Sequence, residues 1–225
     1  YGCARRLDSV SRMTRASILR RLRRVLLFAR LGANPVEVAK LAVLGFARDS
    51  PFGRDGRLGR ILGRVFGAIT VRPSLLRGHA VSVNSHDLGQ LVSFEEIFGE
   101  QIYDLARIPF TPQVVLDCGA QVGYFSIQAA AVYPGATLIA YEPNPENLPW
   151  LGRNLAPLGA RARIKDVAIS DYTGKCHFGA EVSNAGQIRR DNGDGIEVKV
   201  VDFVDELNAL QGQALLLKMD IEGEE

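Results

Sequence analysis

Two hydrophobic rhythms divide the chain. Over residues 14–31, TRASILRRLRRVLLFARL, the apolar positions Ile18, Leu22, Val25 and Ala29 fall on one helical stripe. Leu19 and Leu26 lie beside the stripe and arginines fill the opposite face, which predicts an amphipathic helix. A second helix is predicted from Asn34: Asn34 suits the cap, Pro35 the first helical position and Glu37 the acid of a capping box. Residues 48–67 hold six glycines or prolines and five arginines, so a linker or loosely ordered segment is expected there. AITVR (68–72) and AVSVN (80–84) alternate with period two and predict a hairpin. A short helix is expected around Phe94–Phe98.

From residue 113 the rhythm becomes strand, helix, strand, helix. Strands are predicted at Val114–Asp117, Thr137–Glu142, Arg163–Ala168 and Ala214–Asp220. Helices are predicted at Val122–Val132, Pro145–Ala156 (capped by Asn144) and Asp202–Leu210, with an antiparallel excursion at Lys175–Ala180 and Glu197–Val201. Strands buried on both faces are near-continuous apolar runs, and their crossovers are helices. The fold class is therefore α/β, a doubly wound and mainly parallel sheet, with the Ala214–Asp220 strand beside the first. Two regions are expected: an Arg-rich helical extension and linker over 1–67, and the α/β domain over 68–225. The chain starts at Tyr1, and only four parallel strands can be found, so the domain is expected to be incomplete at its C-terminal side.

Charge sharpens that division. The net charge is +2, but residues 1–77 hold 17 Lys+Arg against 4 Asp+Glu, whereas residues 78–225 hold 10 against 21. The arginines carry no aromatic or base-reading pattern, so nucleic acid is not expected as a partner. Peripheral contact with anionic lipid through residues 14–31 is the sharper alternative to a helix docked on the domain. Three cysteines without motif spacing fit a reducing, cytoplasmic compartment. Three scattered histidines leave no legible metal site.

The chemistry concentrates in VVLDCGAQVGYFS, residues 114–126. A strand ends on Asp117 and turns through Gly119 and Gly123 into a helix. Glycines there let a ligand approach the backbone, and the helix start offers free N–H groups. Glu142 ends the second strand, where a carboxylate can accept both ribose hydroxyl protons, so the ligand is expected to contain a nucleoside. A dinucleotide site usually carries G-x-G-x-x-G, whereas this chain has D-x-G-x-x-x-G. Asp117 would oppose a pyrophosphate but suits a ligand with an ammonium and a sulfonium, which describes S-adenosyl-L-methionine.

The motifs VVLDCGAQVGYFS, AYEPNPENLPWLGRNL, DVAISDYTGKCHF and LLLKMDIEGEE occur in that order, preceded by VSFEEIFGEQIYD. Together they resemble the FkbM-type family of S-adenosylmethionine-dependent methyltransferases, over about residues 68–225. The resemblance implies a class I methyltransferase fold. It also implies that Asp117, Gly119, Gln121 and Gly123 form the cofactor loop, that Glu142 contacts the ribose, and that Asp166 and Val167 border the adenine. Tyr103 would lie near the cofactor's amino-acid end. Gln121 stands where many members have Asn. A hydroxyl acceptor needs its proton removed, and Asp220 and Glu222, at the end of the strand beside the first, are the candidate catalytic bases. The expected function is O-methylation of a small molecule or sugar (a glycan hydroxyl included). Two alternatives stay open: an NAD-dependent oxidoreductase, which lacks its glycine spacing and a Tyr-x-x-x-Lys or catalytic His here, and a membrane-peripheral, non-catalytic scaffold.

Overall fold

The computed structural model describes residues 22–23, 25–27, 31–48, 57–73, 76, 78–85, 87–179, 187–189 and 196–221. Helix α1 runs Pro35–Arg48 and α2 Arg57–Phe66, followed by strands β1 (Ala68–Val71) and β2 (Val81–Asn84) and helix α3 (Leu88–Phe94). Then come β3 (Val114–Cys118), α4 (Tyr124–Val132), β4 (Thr137–Tyr141), α5 (Leu148–Leu155), β5 (Ala162–Lys165) and β6 (Val167–Ser170). Strands β7 (Gly174–Gly179), β8 (Gln187–Arg189) and β9 (Ile196–Asp202), helix α6 (Phe203–Asn208) and strand β10 (Leu215–Met219) complete the order.

The central sheet is parallel throughout, in the order β10-β3-β4-β5. Every residue of β3 is buried, as its unbroken apolar run requires. Its side chains alternate between two cores. Val115 joins a large cluster with Leu138, Ala140, Leu151 and Leu155, while Val114, Leu116 and Cys118 join Ile139, Tyr141, Val167 and Ile169 on the other face. Helix α4 is buried from Tyr124 through Ala131, its Ala129–Ala131 run allowing close approach to the sheet. Leu41 and Leu44 of α1 enter the same large cluster, together with Ile69 and Val83 of the β1–β2 hairpin. The hairpin registers Ala68 with Asn84 and Val71 with Val81.

Capping chemistry behaves as the residue types dictate. Asn34 Oδ1 accepts from Val36 N and Glu37 N at 3.0 Å each. Asp202 Oδ1 accepts from Val204 N at 2.7 Å, which starts α6.

Four expectations need correction. Residues 57–66 are a helix, not a linker: Leu62 and Phe66 pack on the large cluster, which outweighs the helix-weakening Gly59 and Gly63. The predicted strand Arg163–Ala168 is two strands, broken at Asp166, because β5 pairs with β4 whereas β6 pairs with β9 in a second sheet ordered β6-β9-β7-β8. Helix α5 starts at Leu148 rather than Pro145, because Asn144 Oδ1 first closes a local turn onto Glu146 N at 3.0 Å. Leu22, assigned to a docked stripe, is 53 % exposed, whereas Leu27 packs against the large cluster and Leu31 is buried in it. Leu26 is 59 % exposed and Val25 half-buried, and residues 14–21, 24 and 28–30 lie outside the described residues. The helix expected at Phe94–Phe98 is present as α3 followed by a π-helical turn, Glu95–Glu100.

Candidate functional site

Strand register brings the site together. Lys218, Asp117, Ala140 and Ile164 form one row across the sheet, and Met219, Cys118, Tyr141 and Lys165 the next. One step further toward the carboxyl ends stand Asp220, Gly119, Glu142 and Asp166. Backbone bonds fix that outer row: Asp220 N donates to Cys118 O (3.1 Å), Gly119 N to Tyr141 O (3.0 Å) and Glu142 N to Lys165 O (3.1 Å). Ligands of open α/β sheets bind beyond this edge.

The turn from β3 into α4 depends on its glycines. Gly119 has φ +75°, and a Cβ there would lie 2.0 Å from the Asp220 carbonyl oxygen. Gly123 has φ +85°, and its Cβ would meet Leu151 Cδ1 at 2.8 Å. The first glycine lets β10 close against the loop, and the second lets α5 close against the start of α4. Gln121 between them is also left-handed, at φ +51°. Its N–H donates to Glu142 Oε2 at 2.7 Å, which compensates part of the strain. Asn154, 1 % exposed, ties this loop to the hairpin. Its Nδ2 donates to Val122 O (2.8 Å) and Ser82 O (3.2 Å), and its Oδ1 accepts from Ser82 N (2.7 Å).

Asp117 is 1 % exposed. Its Oδ2 accepts from Ser126 Oγ at 2.7 Å. Its Oδ1 lies 3.3 Å from the Lys218 ammonium, but the contact lacks hydrogen-bond geometry, so Oδ1 is a buried acceptor without a donor. Lys218 Nζ donates to Gly119 O (2.7 Å) and Cys118 O (3.4 Å) and stands 3.7 Å from Asp220 Oδ2. Burial pulls the Lys218 pKa down, but the Asp117 and Asp220 carboxylates more than offset it, and the net shift is upward. The group therefore stays an ammonium at neutral pH.

Glu142 is also buried. Its Oε1 accepts from Asn144 N (2.9 Å) and Asn147 Nδ2 (3.2 Å), and its Oε2 from Gln121 N. Burial raises its pKa from 4.5 to about 6 against those three donors, with Asp117 adding to the rise. With two lone-pair sites per oxygen, one place on Oε2 remains.

The other predicted residues divide. Asp220 extends the row and is exposed. Tyr103 stacks edge-on against Phe125 of α4 at 4.9 Å. Burial raises its pKa; Lys218 lowers it, and Asp220 and Asp117 raise it, so the phenol lies within the field of this cluster. Asp166 is exposed beside Glu142. Val167 turns its side chain into the second core, which leaves its backbone as the part facing that edge. Glu222 lies outside the described residues.

Lys218, Ser126 and Asn154 complete the site and were not among the predicted residues. Lys218 carried a signal, being the charged position in an otherwise apolar strand. Ser126 and Asn154 look like ordinary helix positions in the sequence. On the opposite face Tyr141 Oη donates to Glu206 Oε2 (2.6 Å), and Lys165 pairs with the same carboxylate. This pins α6 to the sheet edge. Cys118 is buried, with its thiol pushed up to about 12, and is no nucleophile at neutral pH. Among the described residues no group of three His, Cys, Asp or Glu side chains is placed to hold a metal, and no helix is long and apolar enough to cross a membrane.

Fold and site together define a doubly wound α/β domain with a glycine-lined, acid-rich crevice at the carboxyl ends of its strands. Residues 117–225 match the family model described as the Methyltransferase FkbM domain, and the FkbM-type resemblance of the sequence motifs is thereby shown over this span. The chain is 34 % identical over 99 residues to "Methyltransferase sdnD" of Sordaria araneosa, covering 44 % of this chain and 38 % of that protein. It is 33 % identical over 82 residues to "31-O-demethyl-FK506 methyltransferase FkbM" of Streptomyces tacrolimicus, covering 36 % and 32 %. The chain thus spans about a third of the length of these relatives. The solved structure of Methyltransferase FkbM from Methylobacillus flagellatus KT aligns with 92 % of this chain and 43 % of its own, at 16 % identity and a TM-score of 0.37, too slight a likeness to carry an argument.

Proposed function

We propose that the protein is an S-adenosyl-L-methionine-dependent methyltransferase that acts on a hydroxyl of a small molecule or sugar. The observation that carries this reading is the outer row itself. Gly119 gives up its Cβ where β10 meets the loop, and two carboxylates, Glu142 and Asp220, flank it on the adjacent strands. A buried acceptor without a donor, Asp117 Oδ1, lies directly behind. These residues fit a cationic nucleoside: an acid-lined crevice favours a sulfonium and an ammonium and disfavours a pyrophosphate. The family match over residues 117–225 supports the same reading.

When bound, the cofactor supplies a methyl already activated on sulfur, so the protein's part is alignment and exclusion of water. Glu142 keeps one acceptor place on Oε2 for a ribose hydroxyl. Gln121 N–H orients Glu142, and Asn154 holds the loop that carries Gln121. Asp166 and the Val167 backbone border the adenine. Asp220 would take the proton of the acceptor hydroxyl, and the bound cofactor would supply the methyl group that replaces it. Its neighbour Glu222 is the second candidate for that proton.

The test is transfer of labelled methyl to a panel of hydroxylated acceptors, by the protein and by its Asp220→Asn and Glu222→Gln variants. Removing the base should slow turnover by about 10²- to 10⁴-fold. Near-normal turnover in both variants excludes either carboxylate as the base. Transfer to no acceptor at all, from a protein that binds the cofactor, excludes the enzymatic reading.

A further inference from the structure

We propose that Lys218 binds the α-carboxylate of the cofactor's amino-acid end, and that Lys218 and Asp117 act as a paired clamp for an α-amino-acid zwitterion. The proposal rests on the cofactor reading above and adds the residue that reads the ligand's negative charge.

The charge census of the crevice requires such a residue. Three carboxylates converge there, on Asp117, Glu142 and Asp220. A ligand carboxylate entering among them meets repulsion unless a cation receives it. Among the described residues the cation in this row is Lys218. Lys165, at the end of β5, is committed to Glu206 on the opposite face.

The geometry of Lys218 suits the task. An ammonium has three donors and no acceptor. Two donors go to the carbonyls of Gly119 and Cys118. The third is left to the Asp117 and Asp220 carboxylates, ion pairs at 3.3 Å and 3.7 Å. Asp117 Oδ1 is correspondingly buried and lacks a donor. The Lys218 ammonium and the Asp117 carboxylate stand side by side as an ion pair, and so as a fixed dipole. An α-amino acid is the same dipole: an ammonium and a carboxylate on one carbon. Set head to tail, the ligand ammonium completes Asp117 and the ligand carboxylate completes Lys218. One ligand end thereby gives Asp117 Oδ1 a donor and Lys218 a further carboxylate partner, which a nucleoside alone cannot do.

Calorimetry with three ligands tests this. The ligands are S-adenosylhomocysteine, its decarboxylated analogue and 5′-methylthioadenosine, which lacks the amino-acid end. The wild-type protein should bind S-adenosylhomocysteine about 10- to 100-fold more tightly than the decarboxylated analogue, the range for a hydrogen bond to a charged group. Lys218→Met should lose that same factor for S-adenosylhomocysteine and change by less than about 3-fold for 5′-methylthioadenosine. Lys218→Arg should recover part of the loss. A role confined to packing the loop would weaken both nucleosides alike, and that result overturns the proposal. Equal wild-type affinity for S-adenosylhomocysteine and the decarboxylated analogue also overturns it, without any variant that has to fold. Wild-type protein that binds none of the three removes the cofactor reading and the clamp with it.

Discussion

Replacing Gly119 with Ala isolates the close approach on which the crevice is built. Two costs arise together. The residue sits at φ +75°, and an L side chain in the left-handed region costs roughly 1–2 kcal/mol. The new Cβ would also lie 2.0 Å from the Asp220 carbonyl oxygen, a backbone atom that no rotamer change can move. The end of β10 must therefore shift, which endangers the 3.1 Å bond from Asp220 N to Cys118 O, worth about 1 kcal/mol. The sum is a destabilisation of about 2–3 kcal/mol, or roughly 4–12 °C in Tm for a chain of this size. Urea unfolding monitored by circular dichroism measures it. Gly152→Ala is the control. Gly152 lies inside α5 with open space where the added methyl would stand, so that variant should gain about 0.5–1 kcal/mol. A Gly119→Ala protein within about 0.5 kcal/mol of wild type would refute the close contact between loop and β10.

Other perturbations follow from the same geometry. Asn154→Leu removes the buried partners of Ser82 N and the Val122 carbonyl, while the Ser82 carbonyl keeps the Tyr124 hydroxyl at 3.5 Å, and should cost about 2–4 kcal/mol in denaturant unfolding, whereas a loss under about 1 kcal/mol would deny Asn154 its bridging role. Glu142 has a folded pKa of about 6 above an ordinary 4.5, so between those values the folded state holds the extra proton and stability falls as pH rises. Its burial therefore costs about 2 kcal/mol above pH 6, and the stability of Glu142→Gln relative to wild type should improve by about that much between pH 4.5 and about 6.5; parallel pH profiles would contradict it. Gln121→Asn should hold or slightly raise stability, because Asn tolerates φ near +51° better than Gln, and Gln121→Val should lose about 1–2 kcal/mol in the same unfolding assay.

Where the pattern was strongly periodic, the fold was legible. The apolar run 114–116 defines β3 because burial on both faces tolerates no polar alternation, and the Leu215–Leu217 run marks β10 beside it although Leu217 is 42 % exposed. Asp117, Gly119, Gly123 and Glu142 were legible because strand-end acids and turn glycines have few other uses. Four features were hidden for physical reasons. The break at Asp166 is a change of sheet, and both pieces have strand-like sequences, so local propensity cannot separate them. Helix α2 carries Gly59, Gly63 and several arginines, and its tertiary contacts rather than its propensity hold it. Asn154 meets Ser82 across 72 residues of chain, a partnership no local window contains. The Lys218–Asp117 pair likewise depends on register between strands about a hundred residues apart.

Titration calorimetry with S-adenosylhomocysteine and with NAD, on wild type and Glu142→Ala, is the most direct test of the central claim. The crevice built by Asp117, Gly119 and Glu142 should bind S-adenosylhomocysteine and not NAD. Glu142→Ala should weaken that binding by about 5- to 150-fold, equivalent to roughly 1–3 kcal/mol for a lost ribose contact. Tighter binding of NAD, or S-adenosylhomocysteine binding indifferent to Glu142, would contradict the account.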